Sequence, residues 1–156
     1  MRKYAIVVDA YSTGALIAPE LRRCGYATIS VQTSPDLSPV LLRTYRPEDF
    51  DEHILVDGDL ESLVRRLAGW NVAFVLPGNE SAVEITDQLS ERLGTRGNGT
   101  RLTAARRNKY LMIKRLAAVG LATAGQRAVD SAVAAVEAAP ALGWPIVAKP
   151  LDSAST

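Results

Sequence analysis

The 156 residues, 47% hydrophobic and 22% charged, suit one globular domain or one plus a fragment of a second. With 18 basic against 17 acidic side chains the net charge is +1, which excludes the broad electrostatic footprint of a nucleic-acid or anionic-membrane binder. No apolar run approaches the roughly 20 residues of a bilayer-spanning helix, and the first segment has no signal-peptide pattern, so a cytoplasmic protein is expected.

Tyr4-Ala5-Ile6-Val7-Val8-Asp9 is a continuous apolar run ending in an acid, as a parallel strand covered on both faces would be. The turn from Ala10 to Gly14 leads into a helix in which Leu16, Ile17, Leu21 and Cys24 share a face, with Gly25 as its stop. Pro19 either kinks that helix or marks where its regular part begins. Strand, turn and helix in this order resemble a dinucleotide-binding unit. The region holds one glycine where the fingerprint needs three, which argues against NAD. Cys24, the only cysteine, reads as a small buried side chain rather than a nucleophile.

Ala27-Thr28-Ile29-Ser30-Val31 is a second strand, and Ser34 to Pro39 a turn-rich segment; residues 41 to 50 carry no clear pattern. His53-Ile54-Leu55-Val56 is a short third strand. His53 has no second histidine or cysteine nearby and is read as structural or solvent-facing. Asp57-Gly58-Asp59 caps a helix with Leu60, Leu63, Val64 and Leu67 at i, i+3, i+4 and i+7. Asn71 to Leu76 is the fourth strand, followed by Pro77-Gly78-Asn79-Glu80-Ser81 and a helix turning Ala82, Ile85, Leu89 and Leu93 inward before Gly94.

This order argues for a Rossmann-like parallel sheet over residues 1–94, with ligands expected beyond the carboxyl ends of its strands. Two loops fall there, Asp9 to Gly14 and Pro77 to Ser81. In the second, Gly78 allows a close backbone approach, and Glu80 is an acid at a helix start, favourable against the helix dipole. Ser12 and Thr13 stand before a helix, where a hydroxyl can cap.

Residues 95–99 read as a hinge, and 95–120 as a linker and helix. Arg101, Arg106 and Arg107 lack the aromatic partners of a nucleic-acid patch and are read as a solvated face. Asn108 caps a helix whose buried stripe is Leu111, Met112, Leu116 and Val119, ended by Gly120. Lys109 lies in its first turn, where the dipole is also positive, so a nearby anion would relieve the conflict. Gln126 to Val129 reads as a strand, and Asp130 or Ser131 opens an alanine-rich helix closed by Pro140 and Gly143. Pro145 to Lys149 reads as a buried strand beginning a second sheet over residues 121–156. Lys149 at its end is either a solvated strand-end lysine or a phosphate contact ahead of a small, hydroxyl-rich segment.

Two stretches carry a resemblance. Arg107-Asn108-Lys109-Tyr110-Leu111, followed by Gly143-Trp144-Pro145-Ile146-Val147-Ala148-Lys149-Pro150, resembles the first nucleotide-contacting segments of the ATP-grasp superfamily, whose ligases join a carboxylate to an amine. The resemblance implies ATP as cosubstrate and Mg²⁺ with it. It places Lys109 and Lys149 on nucleotide phosphates, and Ser153 and Ser155 at the start of the loop that covers them. For an amino-acid or dipeptide ligase it also implies a substrate-ammonium contact by Glu80, with Ser12 and Thr13 beside it. The metal-holding carboxylates have no counterpart before Thr156 and are expected beyond it, so the chain is read as an N-terminal portion that is not catalytically competent alone. Partners are then a small carboxylate and a small amine, and a homodimer is compatible with the reading. A carboxylase or carbamoyl-phosphate-type ATP-grasp enzyme shares these features, and a non-catalytic small-ligand module is the alternative from another class.

Overall fold

The computed structural model describes residues 2–57 and 59–152, in two compact units, residues 1–101 and 102–156. In the first unit the chain runs through β1 (Tyr4–Val8), α1 (Ile17–Arg23), β2 (Ala27–Gln32), the one-turn α2 (Pro39–Leu42), β3 (Glu52–Leu55), α3 (Leu60–Leu67), β4 (Val72–Pro77) and α4 (Val83–Arg92). The four strands form one parallel sheet in the order β3-β2-β1-β4. β1 is central, and Ala5, Ile6, Val7 and Val8 have no exposed surface.

That burial has a simple origin. Successive side chains of a strand point to opposite faces, so a strand covered on both sides must be apolar at every position. Ile6 and Val8 pack with Ile29, Val31, Ile54 and Val75 against Leu63 and Leu67 of α3 and Leu89 of α4. Val7 faces the other way, onto Ala10, Ala18 of α1 and Phe50, with Ile17, Leu21 and Tyr45 around them. The segment between β2 and β3 does not form a full crossover helix, and Tyr45 and Phe50 cover the sheet in its place.

Local signals account for most boundaries. Pro19 sits in the first turn of α1, where its missing N–H costs nothing, after a 3-10 turn over Ser12–Leu16. That turn winds at 3.0 residues rather than 3.6 and leaves Leu16 59% exposed, not on the buried face expected for it. Cys24 is also exposed, contrary to expectation, because α1 ends at Arg23 and Cys24 has already left the helical face. Asp59 caps α3 by accepting the Ser62 N–H at 2.8 Å. Gly94, with φ of 65°, follows α4 as its stop. His53 is exposed, and its Nδ1 lies 2.8 Å from the Tyr45 hydroxyl, in keeping with a structural, solvent-facing role.

The second unit holds α5 (Thr103–Arg107), α6 (Lys109–Ala118) and α7 (Ala132–Leu142). Asn108 caps α6 through its side-chain oxygen and the Leu111 N–H, 3.0 Å apart, and Ser131 caps α7 in the same way. Three expectations fail here. Residues 126–129 form no strand; Gln126 instead donates from Nε2 to the Tyr110 carbonyl at 2.8 Å. Residues 145–149 form no strand either, because an extended segment becomes one only when a neighbour completes its hydrogen-bond ladder, and no neighbour does so among the described residues. The expected buried stripe of α6 is open: Leu111, Met112, Leu116 and Val119 are each more than a third exposed, and among the described residues of the unit the short α5 is the one helix packed closely on α6.

Candidate functional site

The strand order places a switch point in the first unit. From β1 the chain goes to β2 on one side and later returns to β4 on the other, and the helices that follow β1 and β4 cover opposite faces of the sheet. In open α/β sheets the crevice at the carboxyl edge of such a point is where ligands bind. The two loops singled out from sequence, Asp9 to Gly14 and Pro77 to Ser81, are the ones that meet there.

They meet backbone to backbone. The Gly78 N–H donates to the Val8 carbonyl at 2.6 Å, and Asn79 Nδ2 donates to the Asp9 carbonyl at 3.1 Å. A Cβ on Gly78 would stand 2.5 Å from the Asp9 carbonyl oxygen, and one on Gly14 would stand 2.0 Å from the Gly78 oxygen. What Gly78 approaches so closely is therefore the other loop.

The β1 loop is also conformationally unusual. Asp9 and Ser12 both adopt the left-handed region, with φ of 51° and 54°, the only described non-glycine residues that do so. Such backbone costs on the order of 1–3 kcal/mol per residue and persists where surrounding contacts enforce it, often at functional sites. Asp9 has its contacts: its buried carboxylate accepts the Thr33 N–H at 2.8 Å and the Thr33 hydroxyl at 2.6 Å. The Ser12 N–H donates to Thr44 Oγ1 at 2.8 Å. Its hydroxyl caps no helix, because Tyr11 and Leu16 occupy the cap positions. Ser12 and Thr13 are both exposed at this edge.

Between these residues lies Tyr11, 1% exposed, which the sequence reading did not single out. Its hydroxyl makes no hydrogen bond, although Gln32 stands near it, and burial pushes its pKa up to about 12. On the β4 side Asn79 is the cap, accepting the Ser81 and Ala82 N–H groups at 2.9 and 3.3 Å. Glu80 is exposed in the first turn.

In the second unit Lys109 opens α6, half-buried, and Lys149 is exposed. Their segments are joined: the Lys109 N–H donates to the Leu151 carbonyl at 2.8 Å, two residues beyond Lys149. Arg107 adds a second link, from Nη2 to the Asp152 carbonyl at 3.1 Å. The Lys109 and Lys149 side chains are thus cations on adjoining segments. Ser153 and Ser155 lie outside the described residues. Among the described residues no group of three histidine, cysteine or acidic side chains is arranged to hold a metal, and no helix is long and apolar enough to cross a membrane.

No family model matches the chain. It is 33% identical to dapdiamide A synthase of Enterobacter agglomerans, over an alignment taking in 99% of this chain and 37% of that protein. The L-amino acid ligase of Bacillus licheniformis superposes with a TM-score of 0.60 at 20% identity, over 79% of this chain and 31% of that one. N5-carboxyaminoimidazole synthetase from Staphylococcus aureus, solved with ADP, superposes with a TM-score of 0.67 at 16% identity, over 98% of this chain and 39% of that one. The chain thus spans less than two fifths of the length of each. The resemblance to ATP-grasp ligases is borne out for the part of these proteins that this chain spans.

Proposed function

We propose, for a chain whose kinship is with the ATP-grasp ligases, that it forms the opening part of an ATP-dependent enzyme joining a carboxylate to an amine. In such a reaction the carboxylate takes the γ-phosphoryl group of ATP, ADP leaves, and the amine displaces phosphate from the acyl phosphate. The observation that carries the proposal is the hydrogen bond from Lys109 to Leu151, which brings together the two segments bearing the expected nucleotide lysines. Lys109 and Lys149 would neutralise phosphate charge and so reduce the repulsion met by an incoming carboxylate. Ser153 and Ser155 would begin the loop over the phosphates. Magnesium belongs to the same proposal, with its ligands outside the described residues.

The switch point of the first unit is the proposed substrate site. Glu80 would accept a substrate ammonium, with the Ser12 and Thr13 hydroxyls beside it. Support comes from their common exposure at one sheet edge and from the left-handed backbone of Asp9 and Ser12. The names of two relatives, an amino acid ligase and dapdiamide A synthase, favour an amino-acid-type substrate over bicarbonate. A cytoplasmic setting goes with this reading.

The test is Lys149→Ala in the full chain, read by calorimetry with ADP. A loss of affinity of about tenfold, worth ~1.4 kcal/mol, is expected. Unchanged affinity would sink the nucleotide assignment.

A further inference from the structure

Residues 144–150 have little to hold them. They join no strand ladder among the described residues, and Trp144 and Val147 are 74% and 78% exposed. Directly after them the chain is fixed at two consecutive carbonyls, by donors two residues apart on the other segment. The Lys109 N–H takes the Leu151 carbonyl at 2.8 Å, and Arg107 Nη2 takes the Asp152 carbonyl at 3.1 Å.

The first donor is one of the N–H groups that a helix start leaves without an intrahelical partner. Asn108 serves the Leu111 N–H, and Leu151 serves that of Lys109. The second donor comes from the last residue of α5, one position before the cap of α6. Its guanidinium is a rigid fork of donors on a long stem, suited to holding an acceptor in a fixed direction. The backbone link alone would let the segment pivot about Leu151. The Arg107 link one residue on removes that freedom.

We propose that Arg107 is a positioning residue. With the Lys109 backbone it straps the chain just past Lys149 to the start of α6, and so fixes the register of Lys149 against Lys109 before a nucleotide arrives. Arg107 is thus more than a member of a solvated basic face. The proposal rests on the nucleotide reading above and adds a residue to it. A misplacement of about 1 Å in a charge-stabilising pair is enough to cost binding or rate heavily.

The experiment uses the full chain with Arg107→Ala, Arg107→Lys and Lys149→Ala, alone and with each Arg107 variant combined with Lys149→Ala. Three quantities are read: ADP affinity, melting temperature, and hydrogen exchange at the Lys109 amide without nucleotide. Arg107→Ala is expected to speed exchange at Lys109 about tenfold or more and to weaken ADP several-fold, with the melting temperature little changed. Arg107→Lys, a shorter point donor, should fall between it and the parent. In the Lys149→Ala background the further loss of ADP affinity should nearly vanish, because the strap acts through that lysine. If Arg107→Ala weakens ADP while exchange at Lys109 stays as in the parent, Arg107 touches the nucleotide itself and the strap is wrong. If Lys149→Ala weakens ADP but Arg107→Ala changes neither quantity, the strap fails and the nucleotide reading stands. If Lys149→Ala leaves ADP affinity intact, the nucleotide reading fails, and exchange at Lys109 alone decides whether the strap exists.

Discussion

Ala5-Ile6-Val7-Val8 and Ile146-Val147-Ala148 are alike in composition and opposite in fate. The first is fully buried at the centre of a sheet; in the second, Val147 is 78% exposed and no ladder forms among the described residues. Composition marks both as able to be strands, since β-branched side chains suit a pleated, buried surface. What separates them is company. β1 has β2 and β4 on its two sides and helices over both faces, so each backbone group has a partner and each apolar side chain a cover. α6 of the second unit makes the same point for helices, its apolar stripe being written in the sequence and left open in the fold. An apolar pattern states what a segment can bury, and its neighbours decide whether it does.

The sharpest way to break this contrast is to disturb the neighbours directly. Gly14→Ala would put a methyl group 2.0 Å from the Gly78 carbonyl oxygen, against backbone that cannot rotate away as a side chain would. The β1 and β4 loops must then part, and with them the edge where the sheet's two halves join. Urea unfolding should show a loss of about 3 kcal/mol or more, at the upper end of what overpacking costs. A loss under about 0.5 kcal/mol would mean the two loops are not locked together as described.

Much of the first unit was legible for the reason just given. Short apolar runs and period-3.6 patterns alternate within the same stretch of sequence, so β1, β2, α3 and α4 fall where the apolar spacing puts them. The strand ends shift by a residue, with β3 at Glu52–Leu55 rather than from His53 to Val56, because strand limits follow the ladder to β2. The switch-point loops were legible as well, from strand order alone. The left-handed backbone of Asp9 and Ser12 was not, because either residue is ordinary in a turn and the contacts that enforce it, Thr33 and Thr44, lie more than 20 residues away. Tyr11 was missed because one aromatic in a loop has no period. In the second unit the sequence marks Arg107 only as one of several basic residues, and the fold brings the carbonyl of Asp152, 45 residues on, to its side chain.

A smaller effect, within the first unit, is read by pH. Asp51, just before β3, is an exposed residue whose side chain is partly shielded, which by itself would raise its pKa. The Thr28 N–H at 2.8 Å and the Arg2 guanidinium at 2.6 Å outweigh that and hold the carboxyl below its ordinary value of 3.8. A group whose native pKa is depressed stabilises the fold fully above the unfolded value and loses that contribution as pH falls through the native one. The first unit should therefore lose stability as pH drops below about 3.8, and Asp51→Asn should flatten that acid limb while costing up to about 1 kcal/mol at neutral pH, the ion pair being screened by solvent. An acid limb that survives Asp51→Asn unchanged would remove Asp51 from the account.

The smallest effect comes from repeating the first substitution in the other unit. A Cβ on Gly125 would meet Leu142 Cδ2 at 3.5 Å, an ordinary van der Waals contact with a side chain able to move. Gly125 lies outside the left-handed region, so alanine adopts its conformation without strain. Gly125→Ala then acts mainly through the unfolded chain, whose conformational freedom it reduces, and should be neutral or stabilising by about 0.4–1 kcal/mol. Measured in the same urea series, one methyl group would unfold one unit and tighten the other. A loss of more than about 1 kcal/mol at Gly125 would mean that residues 121–130 are packed as closely as the switch-point loops, and the contrast between the two units would have to be redrawn from that segment.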